Sequence, residues 1–275
     1  MSVLADVDAA LLFLAQNLRL LSANATLGII LPDSLVSASK YRLFRKELLQ
    51  RYMVRKVIRL PRRSFVNTDA QAYIIVISKG GSTTQQIPLL KFGASCEVNP
   101  VVLVDVDDAI DRLDYEYHAQ QLDQHHPQRI YEPLGAFSVE LKRGTLSSAE
   151  ARLARFPVFH TTDMTLPFTG SWCDLTDFGR APIQRRVERP IVYAEPGDIL
   201  VARVGRNLEQ KVLGVSSGYP TLTDCVYKLH VQKQHQDKVL MQLSSPQGQA
   251  WLASRAYGVS ARQLTKADLL AFPIA

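Results

Sequence analysis

The first 122 residues alternate between apolar residues at helical spacing and short, continuous apolar runs. Helical spacing puts apolar side chains on one face of a helix, whereas a continuous run is typical of a strand that is buried on both sides. An α/β sheet with both faces covered by helices is therefore expected in this region. The predicted helices span residues 6–22, 34–53 and 107–122, and the predicted strands span 27–31, 57–60, 72–78 and 101–106.

The pattern changes after residue 122. Residues 123–160 show little periodicity and predict a small helical connector, whereas residues 161–275 predict short strands between Pro and Gly turns, with a helix over 236–254. Three parts are therefore expected: 1–122, 123–160 and 161–275. The strands predicted in the last part are Ile191–Tyr193, Asp198–Val204, Gln210–Val215 and Val226–Val231.

The composition of the chain indicates how many cores it can form, where it is located and what kind of partner it has. With 275 residues, 47% of them hydrophobic and 21% charged, the chain can form two modest cores. Its longest apolar runs are far shorter than the ~20 residues of a membrane-spanning helix, and the N-terminus lacks a basic signal-peptide region, so we expect no membrane association and a cytoplasmic location. The formal net charge of +6 weakly favours a polyanionic partner.

Candidate metal sites are scarce. Cys96, Cys173 and Cys225 are odd in number and far apart, which predicts neither a disulfide framework nor a zinc site. The neighbouring histidines His125 and His126 lie in a polar stretch that is typical of a solvated loop. No metal site is expected.

Recognisable catalytic and cofactor motifs are also absent from the 275 residues. No glycine-rich turn of the GxGxxG, FxGxG or P-loop kind occurs, and the segment after Gly80-Gly81 does not predict a helix. No serine elbow or helix-spaced His/Glu pair is present. An independent hydrolase or transferase therefore has little support.

The first part of the chain carries an ordered series of short motifs. In chain order they are Gly28…Pro32, Arg45-Lys46, Leu60-Pro61, Phe65 and Lys79. Together they resemble the second half of the catalytic domain of gamma-class adenine-N6 DNA methyltransferases, including modification subunits of type I restriction systems. The resemblance covers roughly residues 6–122 and depends on the order of the motifs.

The C-terminal part is similar to the target-recognition domain of type I specificity subunits and related methyltransferases. The resemblance rests on AEPGDILVARVGRN (194–207), TLTDCVYKL (221–229) and the segment 240–275. The two resemblances together imply a fold of the α/β class, in which a partial Rossmann-like methyltransferase sheet, completed by a partner, precedes an α+β target-recognition domain.

The resemblance also implies cofactor and partners. S-adenosylmethionine is expected on a partner subunit that carries the glycine-rich loop and the Asn-Pro-Pro-aromatic motif, so this chain would supply neither catalytic nor cofactor-binding residues. Double-stranded DNA and the SAM-binding methyltransferase subunit are the expected partners, in a hetero-oligomer. The isolated chain is expected to be inactive.

One residue is singled out for the target base. An enzyme that acts on a base of duplex DNA must extrude that base and hold it by stacking. The resemblance implies that Phe65 stacks against the flipped adenine, although Ser64 stands where the family often has Gly. A core aromatic residue that precedes a strand is an equally good interpretation.

Basic residues are dense between Lys40 and Arg63, and the solvated face of a helix explains most of them. Arg62 and Arg63 lie beside the proposed base pocket, where phosphate contact is plausible. Further residues with hydrogen-bonding side chains form a candidate DNA-binding set, with surface decoration as the alternative for each one. They are Arg203, Arg206, Lys211, Tyr219, Thr221, Arg255, Tyr257, Ser260, Arg262 and Gln263.

Two hypotheses follow. In the first, the chain is the DNA-recognition and base-pocket subunit of a split adenine-N6 methyltransferase in a restriction-modification or phage-defence system. In the second, it is a non-catalytic, sequence-specific DNA-binding subunit of such a complex. The sequence does not separate them, because the partner carries the chemistry in either case.

Overall fold

The computed structural model describes residues 9–83, 85–93, 97, 99–124, 131–165, 169–179, 190–259 and 261–275. The chain divides into two compact units. Unit 1 comprises Met1–His125 and Tyr257–Ser260, and unit 2 comprises His126–Ala256 and Ala261–Ala275. None of the helices in these ranges combines the length and apolar content that crossing a membrane requires.

Unit 1 contains a mixed sheet. Among the described residues its strands follow the order β1-β3-β2-β4-β5, and only the β2–β4 pair is parallel. The strands are β1 (Thr26–Pro32), β2 (Met53–Arg59), β3 (Ala72–Ser78), β4 (Ile87–Lys91) and β5 (Val102–Val104). The helices are α1 (Ala9–Leu20), α2 (Asp33–Ser37), α3 (Arg42–Arg51), α4 (Val106–Asp111) and α5 (Tyr115–Gln124), with a 3-10 turn at Ser39–Tyr41.

The core of unit 1 lies between the helices and one face of the sheet. Ile29, Val57 and Ile75 on that face pack with Leu14 of α1 and Leu48 of α3. α1 precedes β1, α2 and α3 lie in the connection between β1 and β2, and α4 and α5 follow β5, whereas the loops from β2 to β3 and from β3 to β4 contain no described helix.

The opposite face of the sheet is partly exposed, whereas the sequence predicted that helices cover both faces. Ile30 and Leu103, which the strand register places on that face, are 51% and 56% exposed. The pattern also missed β4, because Pro88 interrupts its short apolar run and proline is usually confined to strand edges and bulges.

Lys79 closes the C-terminus of α1. Its Nζ donates to the carbonyl oxygens of Leu21 at 2.7 Å and Leu18 at 3.4 Å, which the helix itself leaves without amide partners. A cation here also interacts favourably with the helix dipole. Lys79, which follows β3 and is the last residue of the motif series, therefore stabilises the C-terminus of α1.

We expect Lys79→Met to lower the free energy of unfolding of unit 1 by about 1–2 kcal/mol, because two helix-end carbonyls lose a charged donor. Urea unfolding followed by circular dichroism measures the change. Lys56→Met, at an exposed position of β2, is the matched control. Equal stability of the two variants would contradict the capping role.

Unit 2 is built around a second sheet, whose described strands follow the order β7-β14-β10-β12-β9. Its apolar core includes Leu200, Leu213, Leu229, Leu243 and Trp251. The strands of the unit are β6 (Glu132–Pro133), β7 (Ser138–Arg143), β8 (Val158–Phe159), β9 (Trp172–Asp174), β10 (Ile199–Ala202), β11 (Val204–Gly205), β12 (Val212–Ser217), β13 (Thr221–Leu222), β14 (Val226–Val231), β15 (Arg262–Gln263) and β16 (Pro273–Ile274). The helices are α6 (Leu134–Phe137), α7 (Ser148–Leu153), α8 (Gln236–Ser244), α9 (Pro246–Arg255) and α10 (Lys266–Leu270), with 3-10 turns at Leu208–Gln210 and Lys233–His235.

Several elements of unit 2 differ from the sequence pattern. The strand predicted at Ile191–Tyr193 is only an isolated bridge between Tyr193 and Thr221. The stretch predicted as a helical connector contains β7, which pairs antiparallel with β14 and so belongs to the second sheet. The predicted helix over 236–254 is two helices, because Pro246 cannot continue α8 and instead takes the first position of α9. Ser245 caps the new helix by accepting from the Gly248 amide at 3.0 Å.

Candidate functional site

The loop that joins β2 to β3, residues 60–71, is fixed by its own hydrogen bonds. Ser64 Oγ donates to the Pro61 carbonyl at 2.7 Å, and Phe65 and Thr68 form an isolated β-bridge. Arg63 and Asn67 adopt the left-handed region, with φ values of 64° and 61°. Non-glycine residues seldom hold this conformation, and such strained positions cluster at functional sites.

This loop displays apolar side chains to solvent. Phe65 is 37% exposed and Val66 is 88% exposed. A core aromatic residue would be buried, so the exposure of Phe65 favours a surface role. The neighbouring cations Arg62 and Arg63 are exposed as well, and Arg63 Nε lies 3.4 Å from Asp69 Oδ1.

A second segment of unit 1 lies at the base of this loop. Gln71 Nε2 donates to the Leu60 carbonyl at 2.8 Å, and its backbone amide donates to the Val259 carbonyl at 3.1 Å. The Gly258 amide donates to Asp33 Oδ2 at 2.8 Å. Tyr257, of the predicted DNA-binding set, packs against the core of unit 1, whereas Ser260 lies outside the described residues.

Asp33 is a buried carboxylate that the sequence analysis did not single out. Burial raises its pKa above the ordinary value of 3.8, and Asp114 raises it further, while the Gly258 amide, Ser37 hydroxyl and Arg112 act in the opposite direction. The fold therefore disfavours ionisation of this carboxyl group, even though two donors face it.

We expect Asp33→Asn to flatten the pH dependence of unfolding. Because the folded-state pKa of Asp33 is raised, its contribution to stability is largest below the unfolded pKa of 3.8 and falls as pH rises through the folded value. As pH rises from 3.8 through the raised folded-state pKa, the unfolding free energy of the wild type should fall relative to that of Asp33→Asn. Asp107→Asn, at an exposed position of α4, is the control. Identical pH profiles for the wild type and Asp33→Asn would contradict the expectation.

Several predicted DNA-binding residues of unit 2 have structural roles. Arg203 is 16% exposed and its Nε donates to the Asp224 carbonyl at 2.6 Å. Lys211 Nζ donates to the Thr161 carbonyl at 2.8 Å, and Thr221 is fully buried. These contacts hold strands together, so burial argues against direct DNA contact by the side chain of Thr221.

Two predicted residues lie at the end of α9. Arg262 donates to the carbonyl oxygens of Ala253 and Ala256 and so closes the helix C-terminus. The Arg255 guanidinium lies 4.9 Å from the centroid of the Trp251 ring, a cation–π contact.

The remaining predicted residues of unit 2 are exposed. β11 and β15 pair with Gly205 opposite Arg262 and Val204 opposite Gln263, so Gln263 lies in a short two-stranded ribbon and Arg206 directly follows one of its strands. Tyr219 is 49% exposed and follows Gly218, whose φ of 93° forms a turn.

The described residues do not fit S-adenosylmethionine. β1 passes into α2 through Pro32 and Asp33, and β5 passes into α4 through Asp105, so neither strand-to-helix turn carries the glycines that let a backbone approach the ligand. Nor do any three His, Cys, Asp or Glu side chains in the described ranges cluster to hold a metal, and His125, His126 and Cys96 lie outside them.

A solved structure with a TM-score above 0.5 shows a likeness in fold. The type IIL restriction-modification enzyme MmeI, solved with DNA, has a TM-score of 0.52 at 9% identity, over 97% of this chain and 41% of that one. The EcoKI M protein gives a TM-score of 0.29 at 15% identity, covering 38% and 23% of the two chains. A type I restriction-modification system gives 0.28 at 22% identity, covering 30% and 18%. The chain thus spans from 18% to 41% of the lengths of these proteins.

Sequence comparison identifies the family. No curated protein matches the chain. The profile of the N-6 DNA methylase family matches residues 3–150, which confirms the resemblance of the first part to adenine-N6 DNA methyltransferases. The chain belongs to the N-6 DNA methylase family.

Proposed function

We propose that this chain is the DNA-recognition and target-base-pocket subunit of an adenine-N6 DNA methyltransferase, in which a partner subunit binds S-adenosylmethionine. One observation carries the proposal. A chain of the N-6 DNA methylase family presents Phe65 on a hydrogen-bonded, cationic loop, yet its described strand-to-helix turns carry no glycine-rich site for the methyl donor.

The loop of residues 60–71 suits an extruded base. Bases stack on exposed aromatic faces, and pre-organised side chains bind with a smaller entropic cost than mobile ones. Phe65 is partly exposed on a loop that is held by internal hydrogen bonds. We infer that Phe65 stacks on the target adenine while Arg62 and Arg63 contact nearby phosphates.

Side-chain contacts separate the residues proposed for DNA contact from those that hold the fold. Arg206, Tyr219 and Gln263 of unit 2 are exposed, and Arg255 of unit 2 and Tyr257 of unit 1 are partly exposed. Lys211, Arg203 and Arg262 are engaged with backbone carbonyls, and we propose for them the positioning of neighbouring loops. Recognition by loops on a rigid scaffold is a common arrangement.

The outer edge of β1, which no described strand pairs with, is the proposed attachment site for the partner. The Asp33 amide donates to the Gln71 carbonyl, so the odd-numbered residues of β1 face β3, and the N–H and C=O groups of Thr26, Gly28 and Ile30 point away from it. β1 contains no charged residue, and charged side chains are one means by which an edge strand avoids pairing with another chain.

Helix α1 adds an apolar surface near that edge. It packs on β1 through Leu14 and Leu18, yet Leu12, Phe13 and Leu20 are 52%, 57% and 82% exposed. A strand added to β1 would gain backbone hydrogen bonds at the edge and could be covered by these side chains. We propose that the SAM-binding subunit supplies that strand.

The proposal is tested by co-purifying the chain with the product of a neighbouring reading frame that encodes a glycine-rich SAM loop and an Asn-Pro-Pro-aromatic motif. The complex should transfer labelled methyl groups to adenine in duplex DNA, and neither subunit should do so alone. Micromolar binding of S-adenosylmethionine by the isolated chain would refute the split arrangement. A complex that binds DNA specifically but never methylates it would support the non-catalytic alternative.

We expect the double variant Arg62→Ala/Arg63→Ala to reduce the salt dependence of DNA binding by the complex. Each neutralised phosphate contributes about 0.9 to the slope of log K against log salt, so the loss of two contacts should lower the slope by about 1.8. Fluorescence anisotropy between 50 and 200 mM salt, roughly the range in which such slopes are read, gives the value. An unchanged slope would show that neither Arg62 nor Arg63 contacts a phosphate.

A further inference from the structure

Unit 2 contains a cavity of about 370 Å³ that the residues discussed so far do not explain. It opens at the end of β7, where that strand meets the turn before β14. Basic, acidic and hydroxyl side chains share its wall, so the cavity offers both hydrogen-bond donors and acceptors. The lining residues are Arg143, Gly144, Thr145, Ser147, Glu150 and Asp224.

Arg143 is held on one edge of its guanidinium group. Its Nε donates to the Asp224 carbonyl at 3.1 Å, and its Nη2 lies 2.5 Å from Asp224 Oδ2. Both contacts use the side of the guanidinium group that carries Nε. The side chain is nevertheless 50% exposed, and the Nη1–Nη2 end is directed away from this anchored edge.

Asp224 is itself fixed. Its amide donates to the Leu146 carbonyl at 2.7 Å, and its carbonyl also accepts from Arg203 Nε at 2.6 Å. Arg203 Nη2 lies 4.0 Å from the same carboxylate oxygen that pairs with Arg143. Two arginines thus share one carboxylate, which restricts the orientation of Arg143. With Glu150 in the wall, the four charged groups carry no net charge.

The backbone next to Arg143 is equally restricted. A Cβ atom at Gly144 would lie 2.0 Å from the Thr223 carbonyl oxygen, so only glycine fits there. The Gly144 amide donates to the Val226 carbonyl at 3.0 Å. Arg143 is therefore supported by main chain and side chain together, which is the condition for a pre-organised contact.

The surroundings of Arg143 determine which ligand group it suits. Glu150 and Asp224 in the wall would repel a phosphate, whereas a base edge is uncharged. A guanidinium end with two parallel N–H donors matches the O6 and N7 acceptors of guanine in the major groove. We propose that Arg143, oriented by Asp224, reads a guanine of the recognition sequence. This inference rests on the proposed DNA-recognition function.

The test uses the full chain with its SAM-binding partner and a pool of fluorescein-labelled duplexes with a randomised central segment. Bound duplexes are sequenced for the wild type and for Arg143→Lys, Arg143→Ala and the control Arg155→Lys, an exposed arginine of the same unit. Arg143→Lys keeps the charge but loses the two-donor geometry. We expect the preference for guanine at one position to fall about tenfold or more in both Arg143 variants, while all other positions keep theirs.

Each outcome has a defined meaning. Loss of guanine preference in Arg143→Lys with unchanged affinity for unrelated duplexes supports the inference, and the Arg155→Lys pool should match the wild type. An unaltered sequence preference in Arg143→Ala, or a uniform loss of affinity with a smaller salt slope, overturns it. A wild-type complex that enriches no sequence overturns the proposed function itself. Circular dichroism confirms that each variant is folded.

Discussion

Arg45→Met should lower the free energy of unfolding of unit 1 by about 3–5 kcal/mol, because each buried carbonyl oxygen that is left without a donor costs about 1–3 kcal/mol. Arg45 lies on α3 and is completely buried. Its guanidinium donates to four carbonyl oxygens, which belong to Leu35, Ala38, Ile110 and Asp111.

Those carbonyls explain the size of the expected effect. The carbonyls of Leu35, Ile110 and Asp111 lie near the C-terminal ends of α2 and α4, where helix carbonyls have no amide partners, whereas the Ala38 carbonyl also accepts from the Tyr41 amide at 3.1 Å. Burial lowers the pKa of Arg45 to about 10, so the group stays charged at neutral pH and continues to donate. Methionine fills a similar volume but leaves the carbonyls of Leu35, Ile110 and Asp111 without this donor.

Urea unfolding of the full chain measures the effect, and Lys46→Met provides the control. Lys46 is the next residue of the same helix and is exposed, so its replacement should change stability by less than about 0.5 kcal/mol. A loss below about 1 kcal/mol for Arg45→Met would show that water or main-chain rearrangement satisfies the carbonyls. Arg45→Lys should also destabilise, because one ammonium group cannot reach acceptors on two helices.

Phe65→Ala should lower the methylation rate of the assembled complex by about 10- to 100-fold. Stacking on an aromatic side chain contributes about 1–3 kcal/mol per base, and 1.4 kcal/mol corresponds to a factor of ten. Because the target base is extruded only when it reacts, the loss should appear in the rate of methyl transfer more than in DNA affinity.

Single-turnover methylation measures the rate, and anisotropy measures affinity for the same duplex. Phe65→Trp retains a stacking surface and should keep most of the activity. Val66→Ala, which changes the neighbouring and more exposed apolar residue, tests whether any change in the loop has the same effect. If Phe65→Ala methylates at the wild-type rate, Phe65 has no part in base binding.

The sequence left two equal interpretations of Phe65, a core residue and a residue that stacks on the target base. The exposure of its side chain argues against a core position. An apolar residue before a strand can face a core or solvent, and sequence periodicity does not distinguish these in an irregular loop. The tertiary structure places Phe65 at 37% exposure because Ser64, Thr68 and two left-handed residues hold the loop in a tight turn. The stacking role remains a proposal that methylation kinetics can test.

For one of the basic residues, the interpretation drawn from the sequence was wrong. The sequence assigns most of the cations between Lys40 and Arg63 to a solvated face, which holds for Lys46 but not for Arg45. Arg45 is buried because carbonyl groups 65 and 66 residues away along the chain come within hydrogen-bonding distance. Arg143 and Asp224, 81 positions apart, had no local signal for the same reason.

Local patterns by themselves determined the family of the first part, the four predicted strands of unit 1 and the absence of a glycine-rich donor loop. These properties depend on residue order and on side-chain period, which are written in the sequence. The tertiary structure decided which face of the sheet stays open, that β7 joins the second sheet, and which arginines are buried. Those outcomes depend on contacts between residues distant in the chain, where burial and hydrogen-bond partners are set by packing.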